Sequence, residues 1–167
     1  HIAFDHALRE GYQAVVRIDA DGQHPIAMIP ALLANLANGE ADVVVATRQN
    51  RNHGKGWRST FSGVVRSYFS AVARLLTNGQ VPDDVNSGFF AASLPAMEIL
   101  NACRLERFPE PQMYILASRR GLRIGEVGIE QMAREYGSST ITLRHALRFF
   151  YRLNTFVLSD LLQKRGA

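Results

Sequence analysis

Two carboxylates separated by one residue are the clearest candidates for chemistry in this chain. Asp19 and Asp21 follow the apolar run 14–18, which is rich in β-branched residues and predicts a buried strand. Gly22 and Pro25 end that strand, so we expect the pair at the carboxyl edge of a sheet, where open α/β sheets bind ligands. Crowded carboxylate oxygens favour Mg²⁺ or Mn²⁺, which can bridge them to a diphosphate.

Two other interpretations of this pair need weighing. An Asp-x-Asp pattern is short, and loop aspartates often form turns or cap helices; Asp21 and Gln23 could cap a helix that begins near Ile26. A calcium-binding hand is excluded by spacing. The sixth position of such a loop would be His24 and the twelfth Pro30, where glycine and a bidentate glutamate are needed.

The longer string around the pair is more specific. Residues 16–25, VRIDADGQHP, resemble the metal-binding segment of family-2 glycosyltransferases of the polyprenyl-phosphate (dolichol-phosphate) mannosyl- or glucosyltransferase type. Four later segments agree with that family in order: ADVVVATR (41–48), DVNSGFF (84–90), GLRIGEV (121–127) and REYGSS (134–139). Each segment is weak alone, but five in this order are specific.

The resemblance implies a GT-A-like, Rossmann-like fold and a role for each matched residue. Asp19, Asp21 and Gln23 would hold Mg²⁺ or Mn²⁺, with Asp21 as the direct ligand. Asp19 and Gln23 would also contact the diphosphate of a nucleoside diphosphate sugar. A lone histidine after a turn is more often a supporting residue than a ligand, so His24 is expected to support the loop.

One departure from the family concerns the first residues. The family opens with strands ending in P-x-Y-N-E and D-D-G-S, and neither string is present. The chain begins at His1, inside a helical pattern that Gly11 would end. We therefore expect an N-terminally truncated domain that lacks its first strand-helix-strand segment and by itself binds donor poorly or not at all.

Two arginines are candidate phosphate ligands. Arg48 ends a predicted strand at the ligand edge, and Arg58 follows the polar, glycine-rich segment 50–56. Arginine pairs with phosphate in a bidentate manner, and Arg58 matches a family arginine that contacts the acceptor phosphate. Solvated surface positions are the alternative for both, because most arginines are exposed.

The segment 84–88 offers substrate contacts. Asp84 could accept hydrogen bonds from sugar hydroxyls or act as a base, with Ser87 beside it. Gly88 would let the backbone approach a sugar closely. A plain turn is the alternative, because 82–84 reads Pro-Asp-Asp.

Glu110 is a second candidate base. In relatives that glycosylate hydroxyls, a carboxylate near this point is the general base, although an acid in the first turn of a helix is also favoured by the helix dipole. A phosphate acceptor needs no base, because it is already an anion. Arg134 and Ser138 match the family's flexible acceptor loop, with Gly137 as its hinge.

Helices and strands alternate along the chain. The patterns predict helices over 26–38, 59–76, 95–102 and 110–120, and strands over 42–46, 86–92 and 123–129. The apolar side of the second of these helices is predicted to carry Val64, Val65, Tyr68, Phe69, Val72 and Leu75. This alternation predicts an α/β fold with a mixed, mainly parallel sheet covered by helices on both faces. Residues 1–140 would form the glycosyltransferase domain and 141–167 a separate amphipathic segment.

The tail has an unusual distribution of charge. Arg144, Arg148 and Arg152 form a ladder at helical spacing, beside an apolar set. Such a ladder repels itself and calls for an anion. Anionic headgroups would serve, with Phe149, Tyr151 and Phe156 near the membrane interface. Charges interrupt every window long enough to span a bilayer. A helix docked on the core is the alternative.

Composition limits the remaining function classes. The 167 residues suit one domain, and the single cysteine, Cys103, permits no internal disulfide and fits a reducing compartment. The net charge of +4 comes almost wholly from arginine, which suits phosphates and membranes. Nucleic-acid binding is not favoured, because the chain shows no recognisable module and no interleaved stripe of aromatic and basic residues.

Taken with these residues, the resemblance implies an inverting, metal-dependent hexosyltransferase. It would use a nucleoside diphosphate sugar as donor and a polyprenyl phosphate as acceptor, at the cytoplasmic face of a membrane. Two alternatives remain open: a non-catalytic membrane-associated module, and a transferase acting on hydroxyls with Glu110 or Asp84 as base. The sugar, the nucleotide and the oligomeric state cannot be assigned from the sequence.

Overall fold

A computed structural model describes residues 2–20, 22–49, 57–103, 110–130, 148 and 150–158, with the backbone alone for 57–62, 65 and 66. The helices are α1 (Ile2–Arg9), α2 (Ile29–Ala37), α3 (Trp57–Thr77), α4 (Leu94–Ala102) and α5 (Glu110–Arg119), and the strands are β1 (Ala14–Arg17), β2 (Val43–Arg48), β3 (Phe90–Ser93) and β4 (Ile124–Ile129). Residues 150–158 are also helical. Gly11, at a positive φ of 77°, follows α1 as predicted.

The four described strands form one open sheet in the order β1-β3-β2-β4. Strand β3 runs antiparallel to both of its neighbours, whereas β2 and β4 are parallel. Three strands therefore point the same way, and the carboxyl ends of β1, β2 and β4 share one edge of the sheet. This confirms the predicted mixed, mainly parallel sheet and is consistent with a GT-A-like fold.

Both faces of the sheet are covered, because successive side chains of a strand point to opposite faces. Val43 and Val45 of β2 pack with α1, α4 and α5 in one apolar cluster. Val44 and Ala46 pack with Leu32 of α2 in a second cluster on the other face. The central strand is thus fully buried, which explains why its sequence is continuously apolar.

Three predicted boundaries are wrong. Strand β3 begins at Phe90, four residues later than expected, because the preceding residues turn: Ser87 N donates to the Asp84 carbonyl at 3.0 Å. The helix predicted from residue 26 starts as a short 3₁₀ turn (Ile26–Met28), since Pro30 has no N–H to donate to the residue-26 carbonyl. Strand β2 extends to Arg48, where it still pairs with Ile129.

The predicted apolar side of α3 is partly wrong. Val64 and Leu75 are 64% and 82% exposed. The predicted Phe69 is buried together with Ala73, and the predicted Tyr68 and Val72 pack against the core. The inner face of α3, which packs chiefly against α5, thus keeps Tyr68, Phe69 and Val72 but excludes Val64 and Leu75. Val65 lies outside the side chains that the structure describes.

The helix at 150–158 docks on the core through one side. Leu153 is buried, and Phe156 and Val157 pack against the larger apolar cluster; the expectation of Phe156 at an interface is therefore wrong. Tyr68 of α3 donates to the side-chain oxygen of Asn154 at 2.7 Å. Within the described ranges, no helix combines the length and apolar character that crossing a bilayer requires.

Candidate functional site

Charged side chains from four elements meet at the carboxyl edge of the sheet. Arg17 and Asp19 lie at the end of β1, Arg48 ends β2, Asp84 lies in the loop before β3, and Glu110 opens α5. Four of these residues, all but Arg17, were predicted for the site from separate parts of the sequence, and the predicted Asp19 and Arg48 interact electrostatically. The fold therefore concentrates alternating charges where open α/β sheets bind ligands.

Asp19 is the carboxylate of this cluster that is most accessible to solvent, with its side chain 49% exposed. His24 Nε2 lies 3.8 Å from its Oδ2, and Arg17 Nη2 lies 3.7 Å from its Oδ1. The polar contact with His24, together with the charges of Arg17 and Arg48, holds the pKa of Asp19 below its ordinary value against the opposing effect of partial burial. Asp19 is therefore an anion at neutral pH.

The absence of a side chain at Gly88 provides the space in which the Asp19 carboxylate lies. A Cβ at position 88 would stand 2.7 Å from Asp19 Oδ2 and 3.1 Å from Oδ1, closer than non-bonded atoms approach. The sequence predicts that Gly88 admits a close approach, but to a sugar. In the structure the approaching group is the Asp19 side chain, and a contact with sugar stays a prediction.

Arg48 and Asp84 form a bidentate ion pair. Arg48 Nη2 donates to Asp84 Oδ1 at 2.9 Å, and its Nε donates to Oδ2. Asp84 is buried and Arg48 is partly exposed. Both oxygens of Asp84 are thus engaged, so Asp84 orients Arg48 toward the edge of the sheet, and its predicted contacts with a sugar would have to displace that pair.

A second ion pair joins Glu110 to Arg17. Arg17 Nη2 lies 2.7 Å from Glu110 Oε1, and the guanidinium carbon lies 6.0 Å from the centre of the Phe90 ring. The Glu110 side chain is 16% exposed and that of Arg17 is 38% exposed. The same Arg17 nitrogen faces both Asp19 and Glu110, so the two carboxylates are neighbours across one cation.

Tyr114 of α5 stabilises the loop that carries Asp84 and Ser87. Its hydroxyl, fully buried in α5, donates to the Ser87 carbonyl at 2.7 Å, and Ser87 Oγ donates to the Ala46 carbonyl at 2.7 Å. Burial, together with the negative charges of Glu110 and Asp84, raises the pKa of Tyr114 well above its ordinary value. Tyr114 is therefore a permanent donor that ties the 87–88 backbone to α5.

Glu126 of β4 fastens the same loop from the other side. Its Oε2 accepts from Thr47 Oγ1 at 2.5 Å and from the backbone N–H of Asp83 at 3.0 Å. The carboxyl end of β2 and the loop that carries Asp84 are thus held together by one side chain. The GLRIGEV segment therefore contributes Glu126 to the support of the site.

His24 packs under the Asp19 loop. Its ring centre is 5.3 Å from that of Phe89, and its Nδ1 is buried without a hydrogen-bond partner among the described residues. This placement agrees with the predicted supporting role. Gln23, also predicted for this loop, is partly buried.

Four predicted site residues are not placed. Asp21, Arg134 and Ser138 lie outside the described residues, and the side chain of Arg58 is not described, although its backbone is part of α3. No group of three or more His, Cys, Asp or Glu side chains able to hold a metal occurs in the described part. The Mg²⁺ or Mn²⁺ site of Asp19, Asp21 and Gln23 remains a prediction, and the ionised, accessible carboxylate of Asp19 fits a hard cation.

Three residues of the cluster were missed by sequence reasoning: Arg17, Tyr114 and Glu126. Two carried a usable signal. Arg17 lies two residues before Asp19, hence on the same side of an extended chain, and Tyr114 lies one helical turn after Glu110. Glu126 becomes meaningful only once β2 and β4 are known to be neighbours.

Comparison with known proteins points to one class of enzyme. The chain is 29% identical over 147 residues to a UDP-N-acetylglucosamine–dolichyl-phosphate N-acetylglucosaminyltransferase of Methanococcus voltae. The match covers 86% of this chain and 58% of that enzyme, so the chain spans less than two thirds of its relative. No protein-family model matches the chain. The similarity is thus to a glycosyltransferase whose name gives dolichyl phosphate as the acceptor.

Proposed function

We propose that this chain is part of a glycosyltransferase that passes a hexose or N-acetylhexosamine unit from a nucleoside diphosphate sugar to a polyprenyl phosphate. One observation carries the proposal: the two carboxylates that the sequence offers as bases, Asp84 and Glu110, are each paired with an arginine at the carboxyl edge of the sheet. The relative from Methanococcus voltae, with 29% identity, supports the same reaction class.

The paired carboxylates favour a phosphate acceptor over a hydroxyl. A hydroxyl must lose its proton as it attacks, and a nearby base normally takes that proton. Both carboxylate oxygens of Asp84 accept hydrogen bonds from Arg48, and one oxygen of Glu110 is paired with Arg17. A phosphate oxygen arrives as an anion, so positioning and neutralisation of charge supply most of the catalysis.

Asp19 would work on the donor side. With Asp21 and Gln23 it would hold Mg²⁺ or Mn²⁺, which when bound neutralises the diphosphate leaving group. The lowered pKa of Asp19 favours its charged form, and the absence of a side chain at Gly88 leaves room for the carboxylate where it lies. This arrangement suits a ligand set that must be ready before the donor arrives.

Arg48 and Arg58 would work on the acceptor side. Arg48 is aimed by Asp84 and is partly exposed, so it can neutralise an incoming phosphate, with Arg134 and Ser138 closing over the acceptor. The acceptor oxygen attacks the anomeric carbon from the side opposite the diphosphate. The bond from that carbon to the diphosphate oxygen breaks, and the configuration at the carbon inverts.

The helix at 150–158 would place this site at a membrane. Phe150, Tyr151 and Leu158 are exposed on it, and Arg148 and Arg152 belong to the arginine ladder. Aromatic and basic side chains together favour an anionic lipid surface. We therefore place the protein at the cytoplasmic face of a membrane, beside a lipid-linked acceptor.

A transfer assay tests the proposal. The naturally expressed protein is incubated with UDP-N-acetylglucosamine, a polyprenyl phosphate in detergent, and Mn²⁺ or Mg²⁺, and then with GDP-mannose and UDP-glucose. We expect sugar transfer to the lipid with one donor, its loss on adding EDTA, and a loss of at least tenfold in Asp19→Asn. Asp5→Asn, in an exposed ion pair of α1, is the matched control.

The outcomes separate the alternatives. Transfer to lipid phosphate that survives EDTA contradicts the metal site. Binding to anionic vesicles without transfer from any donor supports the non-catalytic membrane module instead. Transfer to a hydroxyl lipid but not to its phosphate contradicts the assigned acceptor.

A further inference from the structure

Arg17 lies between two carboxylates of the site, those of Asp19 and Glu110. Arg17 Nη2 lies 2.7 Å from Glu110 Oε1 and 3.7 Å from Asp19 Oδ1. Asp19 is half exposed, and it belongs to the donor side of the proposed site. Glu110 is therefore a carboxylate near the donor side of the proposed site, and its direct contact there is with Arg17.

Such a carboxylate is a hazard for a transferase. Water is always present, and a carboxylate near the anomeric carbon of an activated sugar can take a proton from water as that water attacks. In this structure the Glu110 carboxylate is engaged in an ion pair with Arg17. To accept a proton it would have to give up the Arg17 ion pair and leave that guanidinium beside Phe90 without its nearest anion, which costs free energy.

We infer that Arg17 is a specificity-determining residue that keeps Glu110 from activating water, so that an acceptor already ionised is used instead. This inference rests on the proposed transferase function. In the suppressed side reaction, the water oxygen would bond to the anomeric carbon, the bond from that carbon to the diphosphate oxygen would break, and the proton of the water would pass to Glu110. The products would be free sugar and nucleoside diphosphate.

The test measures donor hydrolysis without acceptor. Arg17→Met keeps an unbranched apolar stem over Phe90 and removes the charge. We expect free sugar to be released about a hundredfold faster than by the wild-type protein, the lower end of what a positioned base supplies, while transfer to polyprenyl phosphate does not rise. Adding Glu110→Gln to Arg17→Met should return hydrolysis to the wild-type rate.

Two further variants guard the interpretation. Arg9→Met removes an arginine from an exposed ion pair with Asp5 on α1 and should leave hydrolysis unchanged. Should Arg17→Met fail to fold, Arg17→Gln, which keeps a hydrogen bond to Glu110 but no charge, carries the same expectation of faster hydrolysis.

The outcomes distinguish this inference from the proposal beneath it. A wild-type protein that transfers sugar to lipid phosphate, with folded Arg17 variants that hydrolyse donor no faster, overturns the role of Arg17 alone. Fast hydrolysis that persists in Arg17→Met/Glu110→Gln overturns the role of Glu110 as the base. A wild-type protein that transfers no sugar under any condition overturns the proposed function itself.

Discussion

Gly88 and Asp19 touch so closely that no side chain fits between them: a Cβ on residue 88 would meet Asp19 Oδ2 at 2.7 Å. The two residues lie at the same end of the antiparallel β1–β3 pair, one just after β1 and the other just before β3. The glycine at position 88 therefore provides the space that the most accessible carboxylate of the cluster occupies.

Gly88→Ala should disable the site without unfolding the protein. The group that must move is a carboxylate on a rotatable side chain, so we expect the melting temperature to change little. Because displacing a ligand by about 1 Å can cost a hundredfold in rate, transfer should fall at least tenfold, with weaker binding of metal and donor.

Gly63→Ala is the matched control for that prediction. It lies within α3, where an added Cβ meets nothing within 4 Å, and alanine in a helix should stabilise by about 0.5–1 kcal/mol. Equal activity of Gly88→Ala and wild type would contradict the importance of the Asp19 position.

Asp84→Asn should destabilise the fold, because it leaves the Arg48 guanidinium without its anion. Breaking a buried ion pair costs about 3–5 kcal/mol; Arg48 retains some access to water, so we expect about 2–4 kcal/mol by urea unfolding. The double variant Arg48→Met/Asp84→Leu should lose less unfolding free energy than the sum of Arg48→Met and Asp84→Leu, because it leaves neither charge unpaired. Asp83→Asn, in the exposed pair with Arg74, should cost under about 1 kcal/mol.

Tyr114→Phe should cost about 1–3 kcal/mol of stability, because the Ser87 carbonyl loses its buried donor. The raised pKa of Tyr114 has a further consequence. The folded form must keep its proton while the unfolded chain releases it, so stability should fall as the pH rises above about 10. That alkaline loss should be smaller in Tyr114→Phe, and the exposed Tyr12→Phe should resemble wild type in both respects.

Asp42→Ala should lower the unfolding midpoint through the loss of a clasp between β2 and β4. Arg123 donates to Asp42 from Nη2 at 3.0 Å, from Nε at 3.0 Å and from its backbone N–H at 2.8 Å. These bonds lower the pKa of Asp42 in the folded state.

The acid dependence of that clasp has a definite sign. Because the folded pKa is the lower one, the contribution of Asp42 is complete above the unfolded value of about 3.9 and is lost as the pH falls through the folded value. Wild type and Asp42→Ala should therefore differ in urea midpoint at pH 7, and the difference should shrink as the pH falls below the unfolded value. A difference that stays the same from pH 7 into the acid range would contradict this assignment.

The layered architecture was predictable from the sequence because its signals are local. The apolar run of β2 and the stop at Gly11 depend on neighbouring residues only, and both appear where expected. The burial of α3 was less predictable. Leu75 fits the helical stripe as well as Leu76 does, and only the packing of α3 against α5 and the rest of the core decides that Leu76 packs inward while Leu75 stays exposed.

The pairing of charges within the site was not predictable. Arg48 and Asp84 are 36 residues apart, and Arg17 and Glu110 are farther apart still. The first pair arises because β3 lies antiparallel between β1 and β2 and brings its preceding loop to their carboxyl ends. The second joins the end of β1 to the first turn of α5. Nothing in the local sequence of β3 specifies that direction, so single residues were identified but their partners were not.

The insertion of β3 between β1 and β2 also determines when this protein can assemble on the ribosome. The β3 residues that pair with β1 are more than seventy residues later in the chain, and at about 5–20 residues per second they emerge roughly 4–15 s after it. Until then Val15 and Val16 lack the β3 partner that the structure gives them. That edge of β1 therefore stays unpaired for seconds during synthesis, and chaperone binding to the nascent chain is the expected consequence.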